Sequence, residues 1–514
     1  MGTYGENKRV LTILSTVMMV FMVGAYHYGV FSHMNIFISA GIICAVIIFS
    51  IFRPTIAFAL FIASIPIEII SLVPSQYAVT LRPYQLFGVG CFFGIFSNYM
   101  RGRDIVFKWC AFDVLIGLFV GLSFGVLAGA LDIGISLRQT IILLSFGFLY
   151  FVVRVYVKQI KDALALFPIM IASGWIVALY AIGENILYFQ GLMQHEVMPG
   201  RSNATFTEPD WLGMYLVFVF ALCLAYLYYN AHHKHIWKFF DIALYGATLT
   251  IVSAVIVTTA RSAWLGMIVV GVVYLSIIFS QRKYKMCARH ALWAGSLVLL
   301  GSGLIMVFHV TNFALGDRVQ SLGTGQQEIT VSCDDAEHAE KLEKKGQITS
   351  ADELSTYTCR HINVEEVTSE VSLGHSVIMI YRDDPTVAIR KTIYTKTFQS
   401  IKENMMTGTG WGSSSMILGT DERGTPLNAS NIFFETALSI GIVGAGILML
   451  IFIVIIFRSG YVFYQDHDMM TKAVALFGIL GAFAIIVPNM FNAGLFMGFV
   501  WVYFAMIAML FKKM

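Results

Sequence analysis

Four arginines lie in the short polar segments on one predicted side of a chain that is otherwise mostly apolar. They are Arg82, Arg138, Arg201 and Arg261, and no lysine lies among them. A guanidinium group is planar, stays charged when partly desolvated and binds phosphate through two parallel hydrogen bonds. We therefore expect the set to include a site for phosphate groups. For any single arginine of the four, contact with lipid headgroups is an equal alternative.

The composition indicates the setting in which these arginines act. Of 514 residues, 57% are hydrophobic and 13% are charged, whereas about 25% are charged in an average soluble domain. The mean hydropathy is +0.74, which excludes a water-soluble protein. Lys8 and Arg9 precede an apolar run that continues past Phe21 without a small-x-small cleavage site, so we expect a retained first helix.

The apolar runs predict an all-α polytopic membrane protein, because a helix that crosses a membrane needs about 20 mostly apolar residues. About fourteen such helices are predicted, with one large outer loop between helices 11 and 12. The runs lie near 10–28, 35–52, 55–73, 83–99, 110–130, 137–157, 162–188, 208–230, 237–259, 263–280, 288–314, 430–457, 471–487 and 493–511.

The basic residues predict which side of the membrane each loop occupies. With the N-terminus inside, the short outer loops hold only the four arginines, and nineteen basic residues fall on the inner side, as the positive-inside rule requires. The nineteen are Lys8, Arg9, Arg53, Arg101, Arg103, Lys108, Arg154, Lys158, Lys161, Lys234, Lys238, Arg282, Lys283, Lys285, Arg289, Arg458, Lys472, Lys512 and Lys513.

The long hydrophilic segment predicts three parts for the chain: helices 1–11 in 1–314, an outer loop domain in 315–428, and helices 12–14 in 429–514. Two of the seven cysteines, Cys333 and Cys359, lie in this loop, and 25 residues separate them. In an oxidising compartment such an isolated pair predicts a disulfide. A metal site that uses His338 and His361 is the less favoured alternative, since zinc sites usually need four ligands at closer spacing.

Three segments carry a family resemblance. They are PGRSNATFTEPDWLGMYL (199–216), TTARSAWLGM (258–267), and AIRKTIYTKTFQSIKENMMTGTGWGSSS (388–415), which resumes as NASNIFFETALSIGIVGAGILML (428–450). In order and spacing they resemble the O-antigen ligase / O-antigen polymerase superfamily of bacterial membrane glycosyltransferases. The resemblance covers roughly residues 195–450. One position departs from it, since Ser430 precedes Asn431 where ligases of the family carry a histidine.

The resemblance implies transfer of a glycan from an undecaprenyl-pyrophosphate carrier to an acceptor hydroxyl on the outer face of the inner membrane. The pyrophosphate is the leaving group, so arginines beside it would stabilise the charge that develops there. We expect Arg261, Arg390 and Arg201 to bind it, with Arg261 at the start of a helix, where free backbone amides also favour an anion. Each arginine has a plainer alternative as a surface cation.

The general base is less well defined by the sequence. Glu208 and Asp210 flank the Arg201 segment, and Glu435 follows Asn431 by four residues on one helix face. Glu435 could equally pair with an arginine. We expect substrate contacts from Ser262, Ser430, Gly410 and Trp411, with a membrane-interface anchor as the alternative for Trp411. No metal and no cofactor is expected.

Three functions remain open. A repeat-unit polymerase, which joins one lipid-linked oligosaccharide to another and works with a chain-length regulator, is favoured because the family histidine is absent. A ligase with a lipid or protein acceptor is the first alternative. A transporter for a lipid-linked glycan is the second, although the sequence lacks the internal repeats typical of transporters. None of the three involves nucleic acid.

Overall fold

The computed structural model describes most of the chain. The described residues are 8–74, 80–102, 107–190, 192, 201–232, 238–282, 284–307, 326–348, 351–362, 367–383, 385–420 and 426–512. The chain divides into two compact units. We call them the helical unit, Met1–Thr311 with Ser400–Met514, and the loop unit, Asn312–Gln399. Residues 400–428, which the sequence assigned to the loop domain, thus group with the helices.

Each of the fourteen apolar runs contains a helix, and the described residues between 336 and 418 form four further helices. In chain order the helices are α1 Lys8–His27, α2 Ile36–Phe52, α3 Pro54–Ser64, α4 Pro83–Met100, α5 Ala111–Gly125, α6 Ile133–Tyr156, α7 Ile160–Phe189, α8 Pro209–His232, α9 Lys238–Val257, α10 Arg261–Ser280, α11 Tyr284–Val307, α12 Ala336–Lys345, α13 Val367–Ser372, α14 Pro385–Glu403, α15 Ser414–Leu418, α16 Ile432–Gln465, α17 Met469–Asn489 and α18 Gly498–Ile507.

Among the described residues, eight helices are long and apolar enough to cross a membrane: α1, α5, α6, α7, α8, α10, α16 and α17. Shorter apolar helices are α2, α3, part of α9, and α18 with the turn that follows it. The chain is therefore a polytopic membrane protein. The number of fourteen crossings stays a prediction.

The centre of the helical unit is formed by α8. In its apolar window 94% of the residues are buried, compared with 39% in the window of α10. A helix that is apolar on all sides must be surrounded by other helices. Its neighbours include α17, α9, α10 and α7. The ends of α8 and α10 come close because Gly213 leaves room for the Ala260 and Ala263 side chains.

The run 55–73 is the one that departs most from its prediction, because only Pro54–Ser64 is helical. Ile65 still has helical backbone angles, but Pro66 has no amide hydrogen with which to continue the helix. The amides of Glu68 and Ile69 instead donate to the carbonyl oxygen of Thr205, at 2.9 and 3.0 Å. This irregular segment therefore supports a neighbouring loop.

A break divides α16 into two helices at Ile440 and Gly441, where Gly441 has φ 75°. The chain 405–412 fills the break. The amides of Thr409 and Gly410 donate to the carbonyls of Leu438 and Ser439, and the amide of Ile442 donates to the carbonyl of Met405. Two carbonyls and one amide at the break are thus satisfied, as burial in a membrane requires.

The loop unit contains a four-stranded sheet that the sequence did not predict. Its strands are β1 Gln326–Cys333, β2 Gln347–Ile348, β3 Cys359–Ile362 and β4 Ser376–Asp383, in the order β2-β4-β1-β3. Only the β2–β4 pair is parallel. The disulfide Cys333–Cys359 joins directly opposed residues of β1 and β3. The description as all-α therefore applies to the helical unit and is wrong for the loop unit.

Candidate active site at the ends of α8, α10 and α16

The segment 201–208, which we call the strap, leads into α8 and lies against the irregular chain after α3. Thr205 Oγ1 donates to the carbonyl of Pro66 at 2.7 Å, and the Thr205 carbonyl accepts from Glu68 and Ile69. Ser202 to Phe206 are all buried. The position of the strap is therefore fixed by backbone contacts.

Glu68, beneath the strap, is buried and forms an ion pair with Arg82. Arg82 Nε lies 2.9 Å from Glu68 Oε2, and the hydroxyl of Tyr84 donates to the same oxygen at 3.3 Å. The amide of Gly498, at the start of α18, donates to the other carboxylate oxygen. Arg82, one of the four arginines predicted on the outer side, is thus engaged in a structural ion pair.

Arg201 connects the strap to the turn before α10. Its Nε donates to Thr259 Oγ1 at 2.8 Å and to the Thr258 carbonyl at 3.3 Å, and its NH2 lies 3.5 Å from Asp210 Oδ2. The side chain of Arg201 is 11% exposed and that of Asp210 is 30% exposed. The guanidinium is therefore held close to the start of α10, where Arg261 is the first residue.

The start of α10 has the features of an anion site. The first amides of a helix have no acceptor within the helix, and the helix dipole adds positive potential there. Arg261 is half-buried at this end, and Ser262 is 8% exposed. Arg261 and the Arg201 side chain thus both lie at one helix N-terminus, and the binding of a phosphate there stays a prediction.

Asn492 was not predicted from the sequence, yet it contacts the same helix end. Its Nδ2 donates to Ser262 Oγ at 3.2 Å and to the Pro488 carbonyl at 3.1 Å. A carbonyl can only accept, so the Pro488 contact fixes which side of the amide carries the hydrogens. The Ser262 hydroxyl therefore accepts from Asn492, and its own hydrogen remains to be donated. The available clue was a polar PNMFN segment between two apolar runs.

Asn431 lies at the start of α16 and accepts hydrogen bonds from the amides of Phe433 and Phe434, at 2.9 and 3.2 Å. Its Nδ2 donates to the carbonyl of Met490 at 3.1 Å. Met490 and Asn492 belong to one loop, residues 490–497 between α17 and α18. This loop therefore joins the start of α16 to the start of α10.

Glu435 lies one turn after Asn431, as predicted, but its contacts are local. Its Oε2 accepts from the amide of Ala429 at 2.8 Å, and it interacts with the Ser414 hydroxyl. Ser430, between Ala429 and Asn431, has φ 48°, and its amide donates to Asn428 Oδ1. In the described contacts Glu435 thus fixes the bend 428–431, and the role of general base stays a prediction for it.

Two further predicted residues serve the fold in this structure. Trp411 is 2% exposed and donates from Nε1 to Ser123 Oγ at 3.0 Å, and the ring packs edge-on against Phe496. A sugar could reach the ring only if these contacts opened. Gly410 has φ 90°, and its amide satisfies the break in α16.

Residues 246–449 match the family model described as O-antigen ligase. This segment belongs to the O-antigen ligase family. A comparison with curated proteins found no match. The chain accordingly carries a domain of a superfamily of O-antigen ligase-type glycosyltransferases, and the recognition made from the sequence is confirmed.

The O-antigen ligase domain includes Arg261, Ser262, Asn431 and Glu435, and Arg201 precedes it. Arg390 also falls in the matched segment. It is half-buried on α14, within the loop unit, and its part in the site stays a prediction. Glu208 lies just before α8, where its carbonyl accepts from the amide of Leu212.

Proposed function

We propose that the protein is a repeat-unit polymerase of surface polysaccharide, of the O-antigen or exopolysaccharide type. It transfers glycan from an undecaprenyl-pyrophosphate-linked oligosaccharide on the outer face of the bacterial inner membrane. The observation that carries this proposal is the bond of the Arg201 guanidinium to the turn before Arg261. It brings two positive groups to one helix N-terminus, an arrangement that supports pyrophosphate binding.

The reaction is a displacement at the anomeric carbon of the donor sugar. The oxygen of an acceptor hydroxyl forms the new glycosidic bond, and the bond from the anomeric carbon to the pyrophosphate breaks. Undecaprenyl pyrophosphate leaves with the bonding electrons, and the hydroxyl proton passes to a base. Arg201 and Arg261 stabilise the charge that grows on the leaving group, which is where preorganised donors contribute most.

Asp210 is the carboxylate that best fits the base. It is the half-buried partner of Arg201, whereas Glu435 is engaged with the Ala429 amide. Pyrophosphate is a good leaving group, so a weak base is sufficient.

The acceptor decides between polymerase and ligase. Ser430 stands where ligases of the family carry a histidine, and in this structure its amide holds the bend before α16. We therefore favour another lipid-linked glycan as acceptor, with a chain-length regulator as partner. A ligase with a lipid or protein acceptor is the alternative, and a lipid-linked glycan transporter is the third reading.

The test uses the purified full chain in lipid with a synthetic undecaprenyl-pyrophosphate oligosaccharide as the only substrate. The wild type should form a ladder of longer lipid-linked products. Arg261→Ala should lose activity by about a hundredfold or more, since removal of one such donor costs roughly 2.7–4 kcal/mol. Arg138→Ala is the matched control and should keep the ladder. No product, even with lipid or protein acceptors added, would favour the transporter.

A further inference from the structure

Glu184, near the end of α7, is a fully buried carboxylate that contacts the strap. Its relative exposure is 0%. A buried carboxylate inside a membrane protein is costly, and such residues usually have a defined task. The carboxylate contacts two strap residues shortly after Arg201, Ser202 and Ala204.

Both strap contacts are made to one carboxylate oxygen. Ser202 Oγ donates to Glu184 Oε2 at 2.5 Å, and the amide of Ala204 donates to the same oxygen at 2.8 Å. Ala204 has φ 45°, a region that residues with a side chain seldom adopt. Such a conformation persists only where surrounding contacts impose it. The Glu184 carboxylate supplies one of those contacts.

The same contacts restrict Arg201. Its backbone is bonded to Ser202, which Glu184 holds, and its guanidinium is bonded to Thr258 and Thr259. Arginine is a long side chain with many rotamers, so fixing both ends removes most of its freedom before substrate binds. Preorganised charge is what makes such a group effective towards a transition state.

We propose that Glu184 is a positioning residue of the active site, which acts by holding the strap so that Arg201 faces the pyrophosphate of the donor. This inference rests on the proposed function. It gives Glu184 no contact with substrate, since both of the contacts above are to the strap.

The test compares kcat and KM for the lipid-linked donor in Glu184→Ala, Glu184→Gln, Arg201→Ala and the double variant Glu184→Ala/Arg201→Ala. We expect Glu184→Ala to lower kcat/KM by about ten- to a hundredfold, as small misplacements of a catalytic group do. The amide oxygen of glutamine can accept from both Ser202 and Ala204, so Glu184→Gln should stay within a few-fold of wild type. Adding Glu184→Ala to Arg201→Ala should change the rate by less than about twofold, because coupled residues are not additive.

The control is Asp113→Asn, which perturbs an equally buried carboxylate. Asp113 lies near the end of α18, whereas Glu68, which contacts the strap, lies near the start of that helix. Asp113 Oδ1 lies 2.7 Å from Arg154 Nε, and both residues contact Cys110, which packs at Ala508. Glu68, by contrast, contacts Gly498. Asp113→Asn should lower the melting temperature without changing the KM for the donor. Ser202→Ala, which removes one strap contact, gives a milder form of the test if Glu184→Ala fails to fold.

The outcomes separate the two claims. Full activity in Arg201→Ala would overturn the role of Arg201 on which both rest. An inactive Arg201→Ala beside a normal Glu184→Ala would overturn only the positioning role. Effects of the two single variants that multiply in the double variant would also overturn it, because Glu184 would then act independently of Arg201.

Discussion

Arg201 Nε and Thr259 Oγ1 are 2.8 Å apart, although 57 residues separate them in the chain. Thr259 lies two residues before Arg261 and has φ 50°. The Thr259 hydroxyl, in a strained turn, thus accepts a hydrogen bond from the Arg201 guanidinium of the strap. This bond makes the strap and the start of α10 one site.

Thr259→Val should weaken that site while keeping the shape of the side chain. The guanidinium would lose an acceptor, and a hydrogen bond to a charged group contributes roughly 1.5 kcal/mol. We expect about a tenfold lower kcat/KM for the lipid-linked donor. Thr248→Val on α9 is the matched control, since its hydroxyl bonds to the Leu244 carbonyl of the same helix. Equal rates for the two variants would contradict the prediction.

Asn492→Asp should impair donor binding more than Asn492→Ala. The alanine variant removes the hydrogen bond that orients the Ser262 hydroxyl. The aspartate variant adds a negative charge at an anion site and also accepts the Ser262 hydrogen, so two effects act together. We expect a rise in the KM for the donor in the order wild type, Ala, Asp, measured with the purified chain. A KM that is the same in all three would exclude Asn492 from the site.

Gly441→Ala should destabilise the helical unit. The residue has φ 75°, and a Cβ would collide with the carbonyl oxygen of Met406. A non-glycine residue in such a conformation costs of order 1–3 kcal/mol. Thermal unfolding in detergent should show a lower melting temperature than for Gly446→Ala, where a Cβ meets nothing within 4 Å. Similar melting temperatures would mean that the break in α16 can close.

The loop unit should lose stability as the pH falls. Ser332, His375 and Arg360 contact the Glu370 carboxylate and lower its pKa below the ordinary value. A carboxylate with a lowered pKa in the folded state stabilises that state above the pKa of the unfolded chain, about 4.3. The protection factors of the β1 and β3 amides against hydrogen exchange in the full chain should therefore fall below about pH 5. Glu370→Gln should exchange faster at neutral pH and respond less to acid.

The helices could be predicted because their cause is local. A run of about 20 apolar residues forms a helix in a membrane whatever lies beside it. The prediction of one helix over 55–73 is wrong because of a contact distant in the chain. The amides of Glu68 and Ile69 donate to the strap, more than 130 residues later. The sheet was missed for two reasons. The strands β2 and β3 are short, and the longer strands β1 and β4 pair across about 50 residues of chain.

The site was predicted in part for the same reason. Arg201 and Arg261 stand out because charge is rare in apolar sequence, and their roles in the site stay predictions. The contacts of Glu184 and Asn492 are made with other segments of the chain, which no local pattern reveals. Trp411 is buried in this structure, and an aromatic residue beside glycines indicates a sugar platform and a packing residue equally well.

The break in α16 limits where a chimera that exchanges the loop unit for that of a related protein can be spliced. The chain that fills the break, 405–412, comes directly after that unit and supplies hydrogen-bond partners to Leu438, Ser439 and Ile442. A chimera spliced at residue 428 would replace the segment that supplies those partners. A chimera spliced at Gln399 would retain them, so the segment that can be exchanged ends where the loop unit ends.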